Sequence, residues 1–248
     1  MKNILRYIGN MSNIDISDYI GTDCETYVEP FAGSFGAGFN LMEKRIFKKT
    51  VLNDKDYYVY NFWYCIKSNS DLVIQYITEL YNKINNMEYK QAMIELDKYK
   101  ESENKFIQAA YEYLYMYNKN IFGYNDDKIK TLRINEDDFT EAGIRLLDTD
   151  IRNLDYIDII DIYDCENALF MIDPPYNVSD VNRYYRGKCN EFNHIQLRDI
   201  VNNIKGKYIL RYNDSEFIRN LYKNNKILFE TTKNLIGTEY REIYYTNI

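Results

Sequence analysis

The sequence predicts an α/β fold, in which a mostly parallel sheet carries helices on both faces and a helical insertion interrupts the pattern. Short apolar runs alternate with stretches of helical periodicity in the first and last parts of the chain. Strands that alternate with helices in this way form parallel sheets. From residue 57 to about residue 138, apolar residues recur at helical spacing with no proline among them. This middle stretch predicts the insertion.

One stretch of the later part carries the most information. Five apolar residues from Ala168 to Ile172 run directly into Asp173, Pro174, Pro175 and Tyr176. A short, wholly apolar run is typical of a strand buried on both faces of a parallel sheet, and the two prolines end it because they cannot donate to the ladder. Asp173 and Tyr176 are therefore expected on a stiff turn at the carboxyl end of a central strand, where open α/β sheets bind ligands.

A second candidate site lies near the beginning of the chain. A short strand (Thr26 to Val28) leads into a glycine-rich turn with Gly33, Gly36 and Gly38, and a predicted helix follows. Strand, glycine turn and helix form the geometry of a nucleotide-type cofactor site. Asp54 ends the next strand, at the distance where Rossmann-like sites place the carboxylate that holds ribose hydroxyls. The alternatives are a plain tight turn for the glycines and a helix N-cap for Asp54.

The remaining elements are predicted from shorter patterns. A strand is expected over Arg145 to Asp148, with Asp150 just past its end. The later predictions are a helix from about Asn193 to Ile204, strands over Tyr208–Tyr212, Lys226–Glu230 and Glu242–Thr246, and a helix beginning near Ser215. His194 falls in the first turn of its helix, and we expect no catalytic role for it.

Composition narrows the class of protein. The net charge of −7 argues against a diffuse attraction to nucleic acid over the whole surface. A single histidine and four scattered cysteines do not match a zinc site, and no metal is expected. No apolar run approaches the roughly 20 residues of a membrane span, so the chain is expected in the cytoplasm, with no membrane partner.

Together these motifs resemble the Dam-type (D12 class) DNA adenine-N6 methyltransferases over nearly the whole chain. The resemblance is carried by Glu29–Gly36, by Asp173–Tyr176, by the opening Arg6–Asn10, by Leu52–Asp54, and by the closing segments Arg211–Ser215 and Ile236–Asn247. Two departures stand out. Met11 occupies a position where the family usually has a lysine, and Asn120–Tyr124 replaces the family's Asn-Gly-Leu segment.

The resemblance implies a Rossmann-like S-adenosylmethionine-dependent methyltransferase. Residues 1–56 and 139–248 would form the catalytic domain, and residues 57–138 the target-recognition domain that binds DNA. The implied cofactor contacts come from Tyr7, Gly9, Met11, Glu29, Pro30, Phe31, Gly33, Ser34, Phe35, Gly36, Asp54, Asp150, Ile151 and Asp173. The implied catalytic residues are Asp173, Pro174, Pro175 and Tyr176. DNA contacts are expected from Lys119, Asn120, Tyr124, Arg183, Arg186 and Lys188.

The implied reaction transfers a methyl group from S-adenosylmethionine to a flipped-out adenine of double-stranded DNA and leaves S-adenosylhomocysteine. Asp173 and the Pro174 carbonyl would accept the hydrogens of the adenine N6, while Tyr176 stacks on the base. A cognate restriction nuclease is a further expected partner. Two alternatives stay open at this point: an enzyme that methylates adenine in RNA or in single strands, and a methyltransferase-like DNA-binding protein without catalysis.

Overall fold

The computed structural model describes residues 4–5, 16–21, 23–44, 47–119, 128–177, 192–235 and 238–248. The strands are β1 (Thr26–Glu29), β2 (Lys49–Asn53), β3 (Thr149–Arg152), β4 (Ala168–Ile172), β5 (Lys207–Asn213), β6 (Lys226–Leu235) and β7 (Thr238–Thr246). The α-helices are α1 (Gly36–Lys44), α2 (Tyr57–Ile84), α3 (Tyr89–Asp97), α4 (Lys105–Asn118), α5 (Glu136–Arg145), α6 (Tyr156–Tyr163), α7 (His194–Val201) and α8 (Glu216–Leu221). Ser17–Tyr19 form a 3-10 turn.

The described strands form a sheet in the order β3-β2-β1-β4-β5-β7-β6. Strands β1 to β5 pair in parallel, and β7 runs antiparallel to both β5 and β6. The strand order reverses between β1 and β4, and such a switch point opens a crevice outside the carboxyl ends of the two strands. The predicted α/β fold is confirmed, and both candidate motifs end strands at this crevice.

Alternate residues of the central strands face opposite sides of the sheet, as the two-residue period of a strand requires. Tyr27 and Leu169 belong to a buried apolar cluster that includes residues of α1 to α5. Val28 and Phe170 belong to a second cluster, formed with α6, α7 and α8. Helices therefore cover both faces of the sheet.

The insertion contains α2, α3, α4 and the beginning of α5. Helix α2 is interrupted at Asn69, whose backbone is extended (φ −166°) and whose side chain accepts a hydrogen bond from the Leu72 amide. Residues of these helices share one apolar cluster with the sheet, and residue 138 falls inside α5. The division at residues 57 and 138, and the assignment of the insertion to DNA recognition, stay predictions.

One predicted strand is wrong. The stretch Arg145 to Asp148 forms the end of α5 and the turn that follows, and β3 begins only at Thr149. The apolar run misled the prediction because Ile144 and Leu147 are exposed, at 62% and 59%, while Leu146 is buried at helical spacing from Phe139 and Ala142. Asp150 consequently lies within β3 and not just past a strand.

The later elements agree with the sequence. His194 begins α7, and the Ser215 side chain caps α8 by accepting from the Ile218 amide. Strands β6 and β7 are longer than predicted because they pair along most of their length as a hairpin.

Candidate active site

The glycine turn follows the carboxyl end of β1. Gly33 and Phe35 have φ values of 48° and 53°, in the left-handed region. This conformation is readily available to glycine, whereas Phe35 is held in it by the burial of its ring against Phe39. The turn therefore has a fixed shape as it enters α1.

The end of β2 fixes this turn from one side. The Asn53 side chain donates to the carbonyl oxygens of Pro30 (2.9 Å) and Leu154 (3.0 Å), and it accepts from the Leu154 amide (2.9 Å). Asn53 is fully buried, so these bonds tie the loops after β1, β2 and β3 into one rim.

Asp54, the next residue, belongs to the same rim. Its Oδ2 accepts from the Gly33 amide and its Oδ1 from the Asp56 amide, both at 2.9 Å. Burial raises the pKa of Asp54 to about 7, the nearby Asp56 charge also raises it, and the two backbone bonds act in the opposite direction. The N-cap of α2 is Asp56, so the N-cap alternative for Asp54 is wrong.

Trp63 of α2 holds the turn from the other side. Its indole Nε1 donates to the Gly33 carbonyl oxygen at 2.8 Å, and the side chain is fully buried. Gly33 thus has both its amide and its carbonyl engaged, by Asp54 and by the first turns of the insertion.

Glu29 ends β1 beneath the glycine turn. It is buried, and its Oε1 accepts from the Tyr27 hydroxyl at 2.6 Å, while Oε2 has no hydrogen-bond partner among the described residues. Burial raises the pKa of Glu29 to about 8; the Tyr27 hydroxyl and the Gly38 backbone oppose this rise, and the charge of Asp173 across the crevice adds to it. Burying an acceptor oxygen without a hydrogen-bond donor costs free energy, and a donor on a bound ligand would recover it.

Three aromatic rings lie beside one another where the chain leaves the carboxyl end of β1. Phe31 lies 5.2 Å from Tyr156 and 5.8 Å from Phe192 between ring centroids, and Tyr156 and Phe192 lie 5.5 Å apart. Phe31 and Phe192 are only partly buried. Their position beside the glycine turn suits a flat heterocycle.

Asp173 follows β4 and pairs with a buried cation. Arg211 Nη1 donates to Asp173 Oδ2 at 2.9 Å, and Arg211 Nη2 donates to Glu242 Oε1. Asp173 Oδ1 is buried and has no hydrogen-bond partner within the described ranges. Burial raises the pKa of Asp173 to about 6; Arg211 and the Tyr176 hydroxyl oppose this rise, and Glu242 adds to it.

Tyr176 lies on the far side of the two prolines and faces the same cation. The Arg211 Cζ lies 5.7 Å from the centre of the Tyr176 ring, and the Tyr176 hydroxyl lies 3.5 Å from Glu242 Oε1. Pro174 is buried and Pro175 partly buried between Asp173 and this ring. The turn therefore presents a carboxylate oxygen and an aromatic ring at one end of the crevice.

Comparison with known proteins identifies the family. The family model of the D12 class N6 adenine-specific DNA methyltransferases matches residues 7–236. The chain belongs to this family. It is also 25% identical to the Type II methyltransferase M.CviBI of Paramecium bursaria Chlorella virus NC1A over 252 residues, which cover 98% of this chain and 91% of the viral protein. The chain is therefore an enzyme of the DNA adenine-N6 methyltransferase class, as its motifs indicate.

Most residues predicted for the site of this methyltransferase that are described meet at the crevice. Glu29, Pro30, Phe31, Gly33, Ser34, Phe35, Gly36 and Asp54 surround the glycine turn, and Asp173 to Tyr176 end β4 beside it. Ile151 lies in β3 beside Leu52 and packs on the apolar cluster below the rim.

Asp150 is not brought to the crevice. It pairs with Val51 in the middle of the ladder, and its carboxylate contacts Arg152 (2.7 Å) and the Tyr163 hydroxyl (2.7 Å), with Lys49 at 4.0 Å. Lys49 begins β2, so Asp150 faces the amino end of the sheet. That Asp150 contacts the cofactor stays a prediction; β3 begins four residues later than the sequence indicated, which places Asp150 inside the ladder.

Some predicted residues lie outside the described ranges. They are Tyr7, Gly9, Met11, Asn120, Tyr124, Arg183, Arg186 and Lys188. Of the predicted DNA contacts, Lys119 is described: it follows α4, and its Nζ lies 5.6 Å from the centre of the Tyr115 ring.

Sequence reasoning assigned no role to Arg211, Glu242, Trp63, Tyr156 or Phe192. A signal existed for Arg211, since it is the single charged residue within the apolar run Tyr208–Tyr212. A charge in a strand buried on both faces needs a partner. No comparable local signal marks Glu242, which reaches Arg211 through strand pairing.

Two further observations bear on partners. Nowhere in the described ranges do three His, Cys, Asp or Glu side chains gather into a group that could hold a metal ion. The helices of the described part of the chain also contain no stretch with the length and apolar character that crossing a membrane requires.

Proposed function

We propose that this methyltransferase transfers the methyl group of S-adenosylmethionine to the N6 nitrogen of an adenine that is flipped out of double-stranded DNA. The observation that carries the proposal is the buried Asp173 Oδ1, which accepts no hydrogen bond of normal geometry from the described residues and belongs to the same Asp-Pro-Pro-Tyr turn as Tyr176 at the β1/β4 switch point. An acceptor held in this way fits an N–H donor on a flat ring.

The residues of the glycine turn fit S-adenosylmethionine. The open Glu29 Oε2 fits its ammonium group, Asp54 fits the ribose hydroxyls, and the rings of Phe31, Tyr156 and Phe192 fit its adenine. When bound, the sulfonium supplies an electrophilic methyl group. The wall of this cofactor pocket would be completed by Pro30, Ser34, Phe35, Gly36 and Ile151.

Asp173 and Pro174 would make the N6 nitrogen of the target adenine more nucleophilic. The lone pair of the adenine amine is delocalised into the ring, so the amine is a poor nucleophile. Asp173 Oδ1 and the Pro174 carbonyl would accept its two hydrogens, draw the nitrogen towards tetrahedral geometry and localise the lone pair. Asp173 Oδ1 can then hold the proton that the nitrogen gives up. We expect most of the rate enhancement of methyl transfer to come from this positioning and from these electrostatic interactions.

Tyr176 supplies a surface for the base. A duplex hides the adenine N6, so the base must leave the stack, and stacking on an aromatic ring offsets part of the cost. Pro175 limits the backbone freedom of the turn that carries Tyr176. Lys119, Asn120, Tyr124, Arg183, Arg186 and Lys188 are proposed to contact the surrounding DNA. The viral relative is named a Type II methyltransferase, and we extend this by proposing a restriction–modification role with a cognate nuclease.

The test is methyl transfer itself. The purified protein and radiolabelled S-adenosylmethionine are incubated with unmethylated plasmid DNA, with the same sequence as single strands, and with its RNA transcript. The proposal expects N6-methyladenine in duplex DNA at defined sequences. Label only in RNA or single strands would favour the alternative substrate, and cofactor binding without label in any polymer would favour a non-catalytic protein.

A further inference from the structure

Arg211 is a fully buried cation in the middle of the sheet. Its side chain has no exposed surface, and its neighbours in β5, Leu210 and Tyr212, are also fully buried. Burial of a guanidinium is costly unless every charge is matched, and a position of this kind is seldom occupied by arginine without a specific use.

The strand register brings Arg211 to the Asp-Pro-Pro-Tyr turn. In the parallel β4–β5 pair, Ile172 lies opposite Leu210, so Asp173 comes level with Arg211. In the antiparallel β5–β7 pair, Arg211 lies opposite Tyr244, and Glu242 is two residues along on the same face. Three segments distant in sequence therefore converge on one guanidinium.

The guanidinium uses separate surfaces for its three neighbours. Nη1 bonds Asp173 Oδ2, Nη2 bonds Glu242 Oε1, and its Cζ lies 5.7 Å from the centre of the Tyr176 ring. Glu242 is itself held, because its Oε2 lies 3.3 Å from the Thr231 hydroxyl oxygen and 3.5 Å from that of Tyr244. The Asp173 carboxylate and the Tyr176 ring are thus both held in place by the guanidinium of Arg211.

We propose that Arg211, supported by Glu242, is the positioning residue of the methyl-transfer site: it occupies Asp173 Oδ2, which leaves Oδ1 for the adenine amine, and it holds the Tyr176 ring. This inference rests on the proposed function, since it assigns Asp173 and Tyr176 their roles at the base. Arg211 acts through these two residues and does not itself touch the substrate.

The charges around Asp173 give the arrangement a second effect. Arg211 lowers the pKa of Asp173 and Glu242 raises it. The other titratable groups that act on Asp173 or feel its charge are Glu29, Tyr176, Tyr212 and Tyr244. Arg211 therefore keeps Asp173 ionised, and able to accept, at a lower pH than burial alone would allow.

Lysine cannot replace arginine in this role. An ammonium is a compact charge without a planar fork, so it cannot bond two carboxylates in fixed directions and also lie flat against a ring. Arg211→Lys keeps the positive charge but weakens the guanidinium hydrogen bond that lowers the pKa of Asp173, whereas Glu242→Gln removes a negative charge that raises this pKa. The two variants should therefore shift the Asp173 pKa in opposite directions. A general loss of structure would not produce opposite shifts.

The experiment compares Arg211→Lys and Glu242→Gln with the wild type in single-turnover methylation of duplex DNA, over about pH 5 to about pH 9. Arg219→Lys is the matched control, because Arg219 also bridges two carboxylates, Asp214 (2.5 Å) and Glu230 (2.9 Å), but lies 42% exposed at the surface. Cofactor affinity is measured by calorimetry for each variant.

We expect Arg211→Lys to lower the single-turnover rate by roughly 10-fold to 100-fold, while cofactor affinity changes by less than about 3-fold. The acidic limb of the pH profile, where the rate falls at low pH, should move to higher pH in this variant. Glu242→Gln should move that limb to lower pH, and Arg219→Lys should leave it in place. An unshifted limb in both site variants, or shifts in the same direction, would overturn the inference.

Two measurements keep the test decisive. If Arg211→Lys does not fold, Glu242→Gln alone decides, because glutamine keeps the side-chain size and one acceptor oxygen for Arg211 Nη2 while it removes the negative charge. Carbon-13 NMR titration of Asp173, assigned through Asp173→Asn, should show a higher pKa in Arg211→Lys and a lower one in Glu242→Gln, without any turnover. A wild type that does not methylate DNA refutes the proposed function, whereas unmoved Asp173 titrations refute the role of Arg211.

Discussion

The indole nitrogen of Trp63 lies 2.8 Å from the carbonyl oxygen of Gly33, so the first helix of the insertion holds the turn that we assign to the cofactor. The bond is buried, and it joins a segment expected to read DNA to the segment expected to bind S-adenosylmethionine. The two parts of the enzyme are therefore mechanically connected at this point.

Trp63→Phe should leave the Gly33 carbonyl without its donor while it keeps most of the aromatic volume. We expect a loss of roughly 1–3 kcal/mol in the free energy of unfolding, together with weaker cofactor binding. Urea denaturation and calorimetry measure the two effects. Tyr64→Phe, one residue away and 42% exposed, is the control. Equal stability of the two variants would show that the bond contributes nothing.

Asp54 and Asp150 give opposite predictions for cofactor binding. Both oxygens of Asp54 accept from backbone amides, and the amide of Asp54→Asn offers only one acceptor. We expect its S-adenosylmethionine dissociation constant to rise by about 10-fold to 100-fold, as for a lost hydrogen bond to a charged group. Asp150→Asn should leave that constant unchanged in the same calorimetric titration. A loss of affinity in Asp150→Asn would show that Asp150 contacts the cofactor, as the sequence predicts.

Asp173→Asn tests the chemical step. The variant keeps the size of the side chain but places a donor where the adenine amine needs an acceptor, so methyl transfer should fall by roughly 10²-fold to 10⁴-fold. Cofactor affinity should stay within a few-fold of wild type, because the glycine turn is unaltered. Asp199→Asn, an exposed aspartate paired with Arg198 on α7, serves as the control in single-turnover assays. Wild-type turnover in Asp173→Asn would refute the mechanism.

Glu29 should make stability depend on pH. Its pKa is 4.5 in ordinary surroundings and about 8 in the folded protein, so the folded state holds this proton more tightly than the unfolded state. The free energy of unfolding should therefore fall as the pH rises between these two values, by up to about 1.4 kcal/mol per pH unit, and level off above them.

The variant Glu29→Gln isolates this contribution. It cannot ionise, so its stability relative to wild type should increase from acidic to alkaline pH in urea denaturation series. Glu25→Gln removes a more exposed carboxylate that pairs with Lys48 just before the same strand, and it should not reproduce the effect. A constant difference between Glu29→Gln and wild type across the pH range would contradict the raised pKa.

Local patterns predicted much of this molecule. The apolar run before Asp173, the glycine turn and the acid at the end of β2 are each encoded within about ten residues, and each forms the element expected. The error at Arg145–Asp148 arose because a short apolar run has no single secondary structure, and here it covers the end of α5 and the turn that follows, where Leu147 is exposed.

The contacts that complete the site are not local. Glu242 meets Arg211 because β7 enters the sheet between β5 and β6, and that placement depends on the pairing of whole strands. Trp63 reaches Gly33 only once α2 packs against the sheet. No pattern in either segment indicates these encounters, although the lone charge of Arg211 in an apolar strand indicates that some partner must exist.

The position of β7 has a consequence for synthesis of the protein. It is the last described strand in chain order, yet it fills an interior place in the sheet and carries the acid that balances Arg211. A ribosome has already made the whole Asp-Pro-Pro-Tyr turn before this balancing charge exists. Nascent or prematurely terminated chains would therefore lack the second of the two carboxylates that hold Arg211, and we expect DNA methylation only from molecules translated through residue 242.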